Sequence, residues 1–223
     1  MQIKRERTLA CPAPFFLLTS SATKDGSSTT MIRLFTALCN AILQEFIDEQ
    51  LFLKATHTFN HSKARCPRCG APGKLSPHGD YSRFLISFEG GLVVVREIHP
   101  LRFECASCLS THALLPDIIV PYSPYSLTFK LAVLLAYFER KTTVESICER
   151  FGIAISTLYK WKKNFLSHKK LLIGVLASQK TPALQFIHKL LTDTSAILQL
   201  FFRKHAFSFL QGLPSTTTRS IPP

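Results

Sequence analysis

Two Cys-x-x-Cys pairs carry the most specific chemistry in the chain: Cys66 and Cys69 in "RCPRCG", and Cys105 and Cys108 in "ECASC". Two intervening residues bend a backbone so that both sulfurs face one point, and four thiolates suit the tetrahedral preference of Zn²⁺, with Zn–S near 2.3 Å (about that value in structural sites). Gly70 follows the first pair and can take the positive φ that such a knuckle needs. The spacing therefore predicts one structural zinc ion held by Cys66, Cys69, Cys105 and Cys108. The alternatives are four structural cysteines without metal and a redox dithiol, which would want a βαβ setting that the pattern around the pairs lacks. His78 and His112 are further potential ligands, but four sulfurs already close the shell, which speaks against catalysis at the metal.

A second chemistry-bearing stretch is "TVESICERFGIAISTLYKWKKNF", Thr143–Phe165. Val144, Ile147, Cys148 and Phe151 recur at helical spacing, Gly152 stands where a helix stops, and Ser156 is placed to cap a second helix. Leu158, Trp161 and Phe165 give that helix a dry face. Its other side carries Ser156, Thr157, Tyr159, Lys160, Lys162, Lys163 and Asn164. Helix, short turn and basic helix are the parts of a DNA-reading helix-turn-helix. Thr157, Lys160 and Asn164, at i, i+3 and i+7, form the expected groove-facing stripe. Thr and Asn can read base edges, and Lys can meet guanine or phosphate. An αα-hairpin with a solvated basic face is the plainer alternative.

Other elements must position these two sites. Met31 to about Lys54 reads as an amphipathic helix, with Leu34, Leu38, Ile42 and Phe46 every fourth residue and the acids Glu45, Asp48 and Glu49 on its wet side. "YSRFLISF" and "LVVVREI", joined through "EGG", read as a hairpin, and Leu101–Glu104 as a third strand entering the second cysteine pair. "THALLPDIIVPYSPYS" reads as an extended connector, because its prolines forbid a long helix. Leu127, Leu131, Leu134, Leu135 and Phe138 mark a helix, and Thr181-Pro182 starts further helices. The expected class is α+β: a small three-stranded zinc ribbon, then a helix-turn-helix and C-terminal helices, with an N-terminal helix in front. The expected segments are a disordered extension at 1–30, the N-terminal helix at 31–56, the ribbon at 62–120, the helix-turn-helix at 121–170, C-terminal helices at 171–213 and a flexible tail at 214–223. Translation can start at Met1 or at Met31.

The helix-turn-helix stretch resembles that of bacterial transposases and their small accessory proteins, in which a Ser/Thr-Leu-Tyr-x-Trp-Lys helix reads DNA. The stretch "CPRCG … HGDYSRFL … VVVREIHPLRFECASCLSTHALLPDIIVPYSPYS", together with the late "HAFSFLQ", resembles an uncharacterised bacterial zinc-ribbon family associated with transposons. The resemblance spans roughly Cys66 to Phe165. It implies zinc on the four cysteines and DNA reading by Ser156–Asn164, and carries no established reaction.

Totals set the outer bounds. Lys and Arg number 27 against 14 acids, giving +13 and attraction to polyanions, of which nucleic acid is the commonest. Hydrophobic residues make up 46% of the 223, enough for a packed core. Seven cysteines, an odd number, with Cys11, Cys39 and Cys148 outside the pairs, argue against a secreted disulfide framework and for a reducing cytoplasm. No apolar run is long enough to span a membrane. Strand transfer by a nuclease would need converging carboxylates on Mg²⁺; Glu145 and Glu149 look solvated, Asp80, Asp117 and Asp193 are isolated, and no enzyme is expected. The expected activity is non-catalytic, sequence-specific binding of double-stranded DNA in a mobile-element accessory or regulator. A transposase or a second copy of the chain is the expected protein partner. The alternatives are a truncated transposase and a zinc-ribbon interaction module.

Overall fold

The structure is a computed structural model that describes residues 16–18, 31–35, 48–173, 182–192 and 194–212. It is α+β, as the sequence predicts. The strands are β1 (Phe16–Leu18), β2 (Met31–Phe35), β3 (Leu75–Asp80), β4 (Arg83–Glu89), β5 (Leu92–Ile98), β6 (Leu101–Cys105) and β7 (Thr111–Pro116). The helices are α1 (Asp48–His57), α2 (Leu127–Glu139), α3 (Val144–Phe151), α4 (Ile155–Ile173), α5 (Ala183–Thr192) and α6 (Thr194–His205). Residues 19–30 and the 214–223 tail lie outside the described residues, as do Leu38, Ile42, Phe46, Cys11, Cys39, Thr181 and Asp193.

Five strands form one sheet in the order β1-β2-β7-β6-β3. All neighbours run antiparallel except β2 and β7, which are parallel, with Met31 opposite Ala113 and Leu34 opposite Pro116. The predicted helix from Met31 is thus corrected at its start: Met31–Phe35 is a strand, and the helix described in this region is α1, Asp48–His57. The physical reason is a period of two. Ile32 and Leu34 are buried towards the cysteine side of the sheet, while Met31 is buried on the helical side. Arg33 is also buried; its Nη1 donates to Ile119 O at 2.8 Å. The proposed extension is likewise corrected at Phe16–Leu18, which pairs with β2.

The ribbon strands also differ from expectation. β4 and β5 form a separate two-stranded sheet and do not fill a three-stranded ribbon. Leu85 and Ile98 bury into the helical core, and Ile86 exchanges hydrogen bonds with Pro124 and Ser126 at 2.8 and 3.0 Å. The strands that carry the cysteine loops are β3, β6 and β7, including residues that read as a connector. Pro116 fits because it is the last residue of β7.

The larger core gathers α2 to α6 around Phe129, Leu158, Trp161, Phe165, Phe201 and Phe209. Ser126 caps α2 by accepting from Phe129 N–H at 3.0 Å. Asp48, expected on a wet face, is buried, and both carboxylate oxygens accept from Thr128 Oγ1 at 2.8 and 2.6 Å. Burial raises its pKa, partly opposed by Ser126 and Thr128. None of the described helices is long and apolar enough to cross a membrane.

Candidate metal centre and basic helix

The two cysteine knuckles are built alike. In the first, Gly70 N–H donates to Cys66 O at 2.9 Å and Cys66 N–H donates to Ala71 O at 3.0 Å. In the second, Leu109 N–H donates to Cys105 O at 2.8 Å and Cys105 N–H donates to Ser110 O at 3.0 Å. Gly70 has φ +74° and Leu109 has φ +55°, so both chains turn through the left-handed region. β3 and β6, paired Leu75 to Cys105, bring the knuckles face to face.

The four ligand sulfurs all lie within 4.8 Å of one another, so they can hold a metal ion. The Cys66–Cys108 separation is 3.6 Å and the Cys69–Cys105 separation is 3.7 Å. A tetrahedron of sulfurs about 2.3 Å from its centre has edges of about 3.8 Å, so these spacings fit a single tetrahedral ion. Arg68 N–H points at Cys66 Sγ at 3.4 Å, an amide–sulfur contact that favours thiolate. Burial pushes the Cys66 thiol up to about 12, whereas hydrogen bonding to Ser110 pulls Cys108 down to about 6. Cys66 needs a neighbouring cation to ionise, and a bound metal would supply one while releasing the proton.

In the sequence His112 stands out only as an alternative ligand. The structure places it behind the ligands, fully buried, with Nε2 3.3 Å from Cys66 Sγ. Burial lowers its pKa and keeps it neutral, so Nε2–H can donate to a thiolate. Its Nδ1 is buried without a hydrogen-bond partner. The signal for this role is its place on β7, opposite Phe103, four residues after Cys108. His78 points elsewhere, pairing with Glu104 at 3.2 Å. Among the described residues, the four cysteines are the cluster able to hold a metal.

Farther along, α3 and α4 meet through Gly152, Ile153 and Ala154. Thr143 caps α3, accepting from Ser146 N–H at 3.3 Å, and Gly152 ends it with φ +60°. The N-cap expected at Ser156 is corrected: α4 already begins at Ile155, and Ala154 O accepts from both Thr157 and Leu158 N–H. The dry face is buried as its spacing requires, with Leu158, Trp161 and Phe165 packed inward.

The wet face lies slightly rotated from the expected stripe. Ser156, Tyr159, Lys160 and Lys163 are exposed, at i, i+3, i+4 and i+7, whereas Thr157 and Asn164 are half-buried beside it. Lys162 is turned aside: its Nζ donates to Tyr137 Oη at 2.5 Å and lies over the Tyr137 and Tyr159 rings. The geometry thus brings Ser156, Tyr159, Lys160 and Lys163 together on open surface, and ties Lys162 to α2.

The family model described as "Domain of unknown function (DUF6431)" matches residues 66–161. That span starts at the first metal-site cysteine and ends at Trp161, so it includes both knuckles, the hairpin, α2, α3 and the first turns of α4. No curated protein and no solved structure matches the chain. Similarity therefore points to a family whose function is itself unknown, and the chemistry must be argued from the sites.

Proposed function

We propose that the chain is a non-catalytic reader of double-stranded DNA, with one structural zinc ion on Cys66, Cys69, Cys105 and Cys108 and with α4 as the helix that enters the major groove. The observation that carries this reading is the exposed face of α4. Ser156, Tyr159, Lys160 and Lys163 share it, behind a capped helix and a three-residue turn. Lysines position such a helix on phosphates, and hydroxyl groups meet base edges or phosphate. The overall charge of +13 adds long-range attraction to DNA. Four sulfurs at tetrahedral spacing favour zinc over harder cations, and leave no open position for catalysis. The resemblance to transposon-associated proteins makes a mobile-element accessory or regulator the favoured setting.

The test is selection of fragments from a random genomic pool by the zinc-loaded protein at physiological salt. Enrichment of one motif is the expected result. Replacing Lys160 and Lys163 together by Ala should weaken retention across sequences and reduce the salt slope by about 2, close to 0.9 per phosphate contact. Full binding by that variant would place the DNA surface elsewhere. A second reading, a protein-interaction module, draws on the hairpin's outer face, where Phe84, Val93 and Val95 are exposed side by side. Retention of no fragment by the intact protein would favour that reading.

A further inference from the structure

A groove of 590 Å³ lies between the hairpin, the β6–β7 face and the loop after Val120. Tyr81, Phe84, Tyr122, Arg83 and Arg102 are among the residues that line it. Among the described residues, no acidic side chain lines it. Aromatic rings with guanidinium groups and no opposing carboxylate suit a flat π-system that carries negative charge.

Two of the rings stand open to water. Phe84 is 60% exposed and Tyr122 is 81% exposed. Tyr122 also has φ +58°, a conformation that L side chains rarely adopt. Such backbone persists only where its surroundings hold it. Here Arg83 Nη2 donates to Ser123 O at 2.5 Å, and Ser123 N–H donates to Val120 O at 3.3 Å. The loop is thus fastened at the residue that follows Tyr122, so the ring is presented from a fixed support. Arg102 is exposed and lies 4.7 Å over the Tyr81 ring, leaving its charge available at the groove.

We propose that this groove takes unpaired nucleotides of a single DNA strand, with bases stacked on Phe84 and Tyr122 and phosphate met by Arg102. Stacking platforms beside cationic side chains are how proteins hold single strands without reading their sequence. The rings give the base a face, and the charge gives the backbone a partner. The inference deepens the DNA reading, since a protein that holds both duplex and unpaired strand would act where a duplex is opened. Its residues are separate from those of α4, so the two can fail separately.

The experiment is fluorescence anisotropy of an end-labelled thymidine strand of about twelve nucleotides with the zinc-loaded full chain, beside a labelled duplex. The intact protein should bind the strand. Tyr122→Asn, which tolerates the left-handed backbone, and Phe84→Thr, which suits a strand, should each weaken it about tenfold. Tyr122→Phe should bind as the intact protein does, because stacking needs the ring and not the hydroxyl. Arg102→Gln should lower the salt slope for the strand by about 0.7. The Lys160→Ala and Lys163→Ala double variant should weaken duplex binding and leave strand binding unchanged. No strand binding by the intact protein, or unchanged binding by Tyr122→Asn, would overturn the proposal. So would loss of strand and duplex together in the lysine variant, or a mononucleotide that binds as tightly as the strand.

Discussion

The two faces of the five-stranded sheet are held by different means. On the cysteine side the core is thin: Ile32, Leu34, Leu75, Phe103 and Leu114 close over Ala55, Ala64 and two of the ligands themselves, Cys66 and Cys105. On the helical side Met31 and Leu115 meet a thick core that runs through α2 to α6 and is crowded with aromatic rings. A small apolar cluster gains too little from burial to order long loops. A metal ion on the four sulfurs would supply what packing lacks on the cysteine side, since its binding free energy is also folding free energy. The helical side can stand on packing alone. Sequence proximity misleads here, because β4 and β5 lie between the cysteine pairs in the chain yet pack with the helices.

The largest expected effect breaks this contrast at the metal. Cys105→Ser, or chelation of the intact protein, should abolish metal binding and expose the amides of β3, β6 and β7 to rapid hydrogen exchange. Those of α3, α4 and the β4–β5 hairpin should stay protected. Structural zinc contributes on the order of 10 kcal/mol in small zinc domains, so the sheet should not survive its loss. Unchanged metal content in Cys105→Ser would remove the four-sulfur site. Simultaneous loss of protection in sheet and helices would show one cooperative unit instead of two supports.

The next effect comes from the other side. Phe165 is fully buried, with Phe138, Phe186 and Phe209 ring centres 5.5, 5.8 and 6.1 Å away. Phe165→Ala should cost about 3–5 kcal/mol through the cavity it opens. Urea unfolding followed by the fluorescence of Trp161 should report that loss while metal content stays at one ion per chain. Metal released in step with the helical transition would mean the sheet leans on the helical core more than its own contacts suggest.

How far the sequence discloses this division depends on where each element finds its partner. The knuckles, the capped α3 and the dry face of α4 are written in short stretches, because their hydrogen bonds close within a few residues. The β4–β5 hairpin is equally local, and its alternation is legible. Its destination is not, since Leu85 and Ile98 are as suited to a ribbon as to the helical core. β2 is harder still. "MIRLF" is five residues, too short to separate strand from helix by period, and its parallel partner β7 lies some eighty residues on. β3 is "LSPHGD", with Pro, Gly and Asp that disfavour strands, and only pairing with β6 makes it one. The stripe expected at Thr157, Lys160 and Asn164 lies about one position off the exposed face, because no sequence rule fixes which way α4 rolls onto α2. The Lys162–Tyr137 contact accompanies that roll.

A smaller effect separates the two faces by acidity. His168 is buried in the helical core, and its Nδ1 accepts from Leu210 N–H at 3.0 Å, a bond only the neutral ring can make. Burial, helped by His205 and Lys130, lowers its pKa to about 4 from 6.5. The folded value is depressed, so as pH falls the unfolded chain takes up the proton first, and stability drops between about pH 6.5 and pH 4. The full span corresponds to at most about 3–4 kcal/mol. His168→Gln keeps an acceptor without a titration, and should flatten this part of the Trp161-detected unfolding profile relative to the intact protein. An identical pH profile in both would show that His168 does not couple to folding.

The smallest effect lies between the two knuckles, which share a hydrogen-bond pattern but place Gly70 and Leu109 at the same left-handed position. Gly70 and Leu109 both have positive φ, and both donate to the first cysteine of their pair. Leu109 carries a Cβ that disfavours this backbone by about 1–2 kcal/mol. Its side chain is 75% exposed, so the described residues offer little packing to offset that strain. Leu109→Gly removes the strain but adds freedom to the unfolded chain worth about 0.4–1 kcal/mol, leaving a net gain of a few tenths to about 1 kcal/mol. Gly70→Ala runs the other way. A Cβ there meets no atom within 4 Å, so its cost of about 1 kcal/mol would come from φ alone. Midpoints of thermal unfolding in the metal-loaded protein should move up for Leu109→Gly and down for Gly70→Ala, with metal content unchanged in both. If Leu109→Gly lowers the midpoint instead, the leucine is held by contacts beyond its knuckle, and its strain is the cost of presenting an apolar side chain beside the metal.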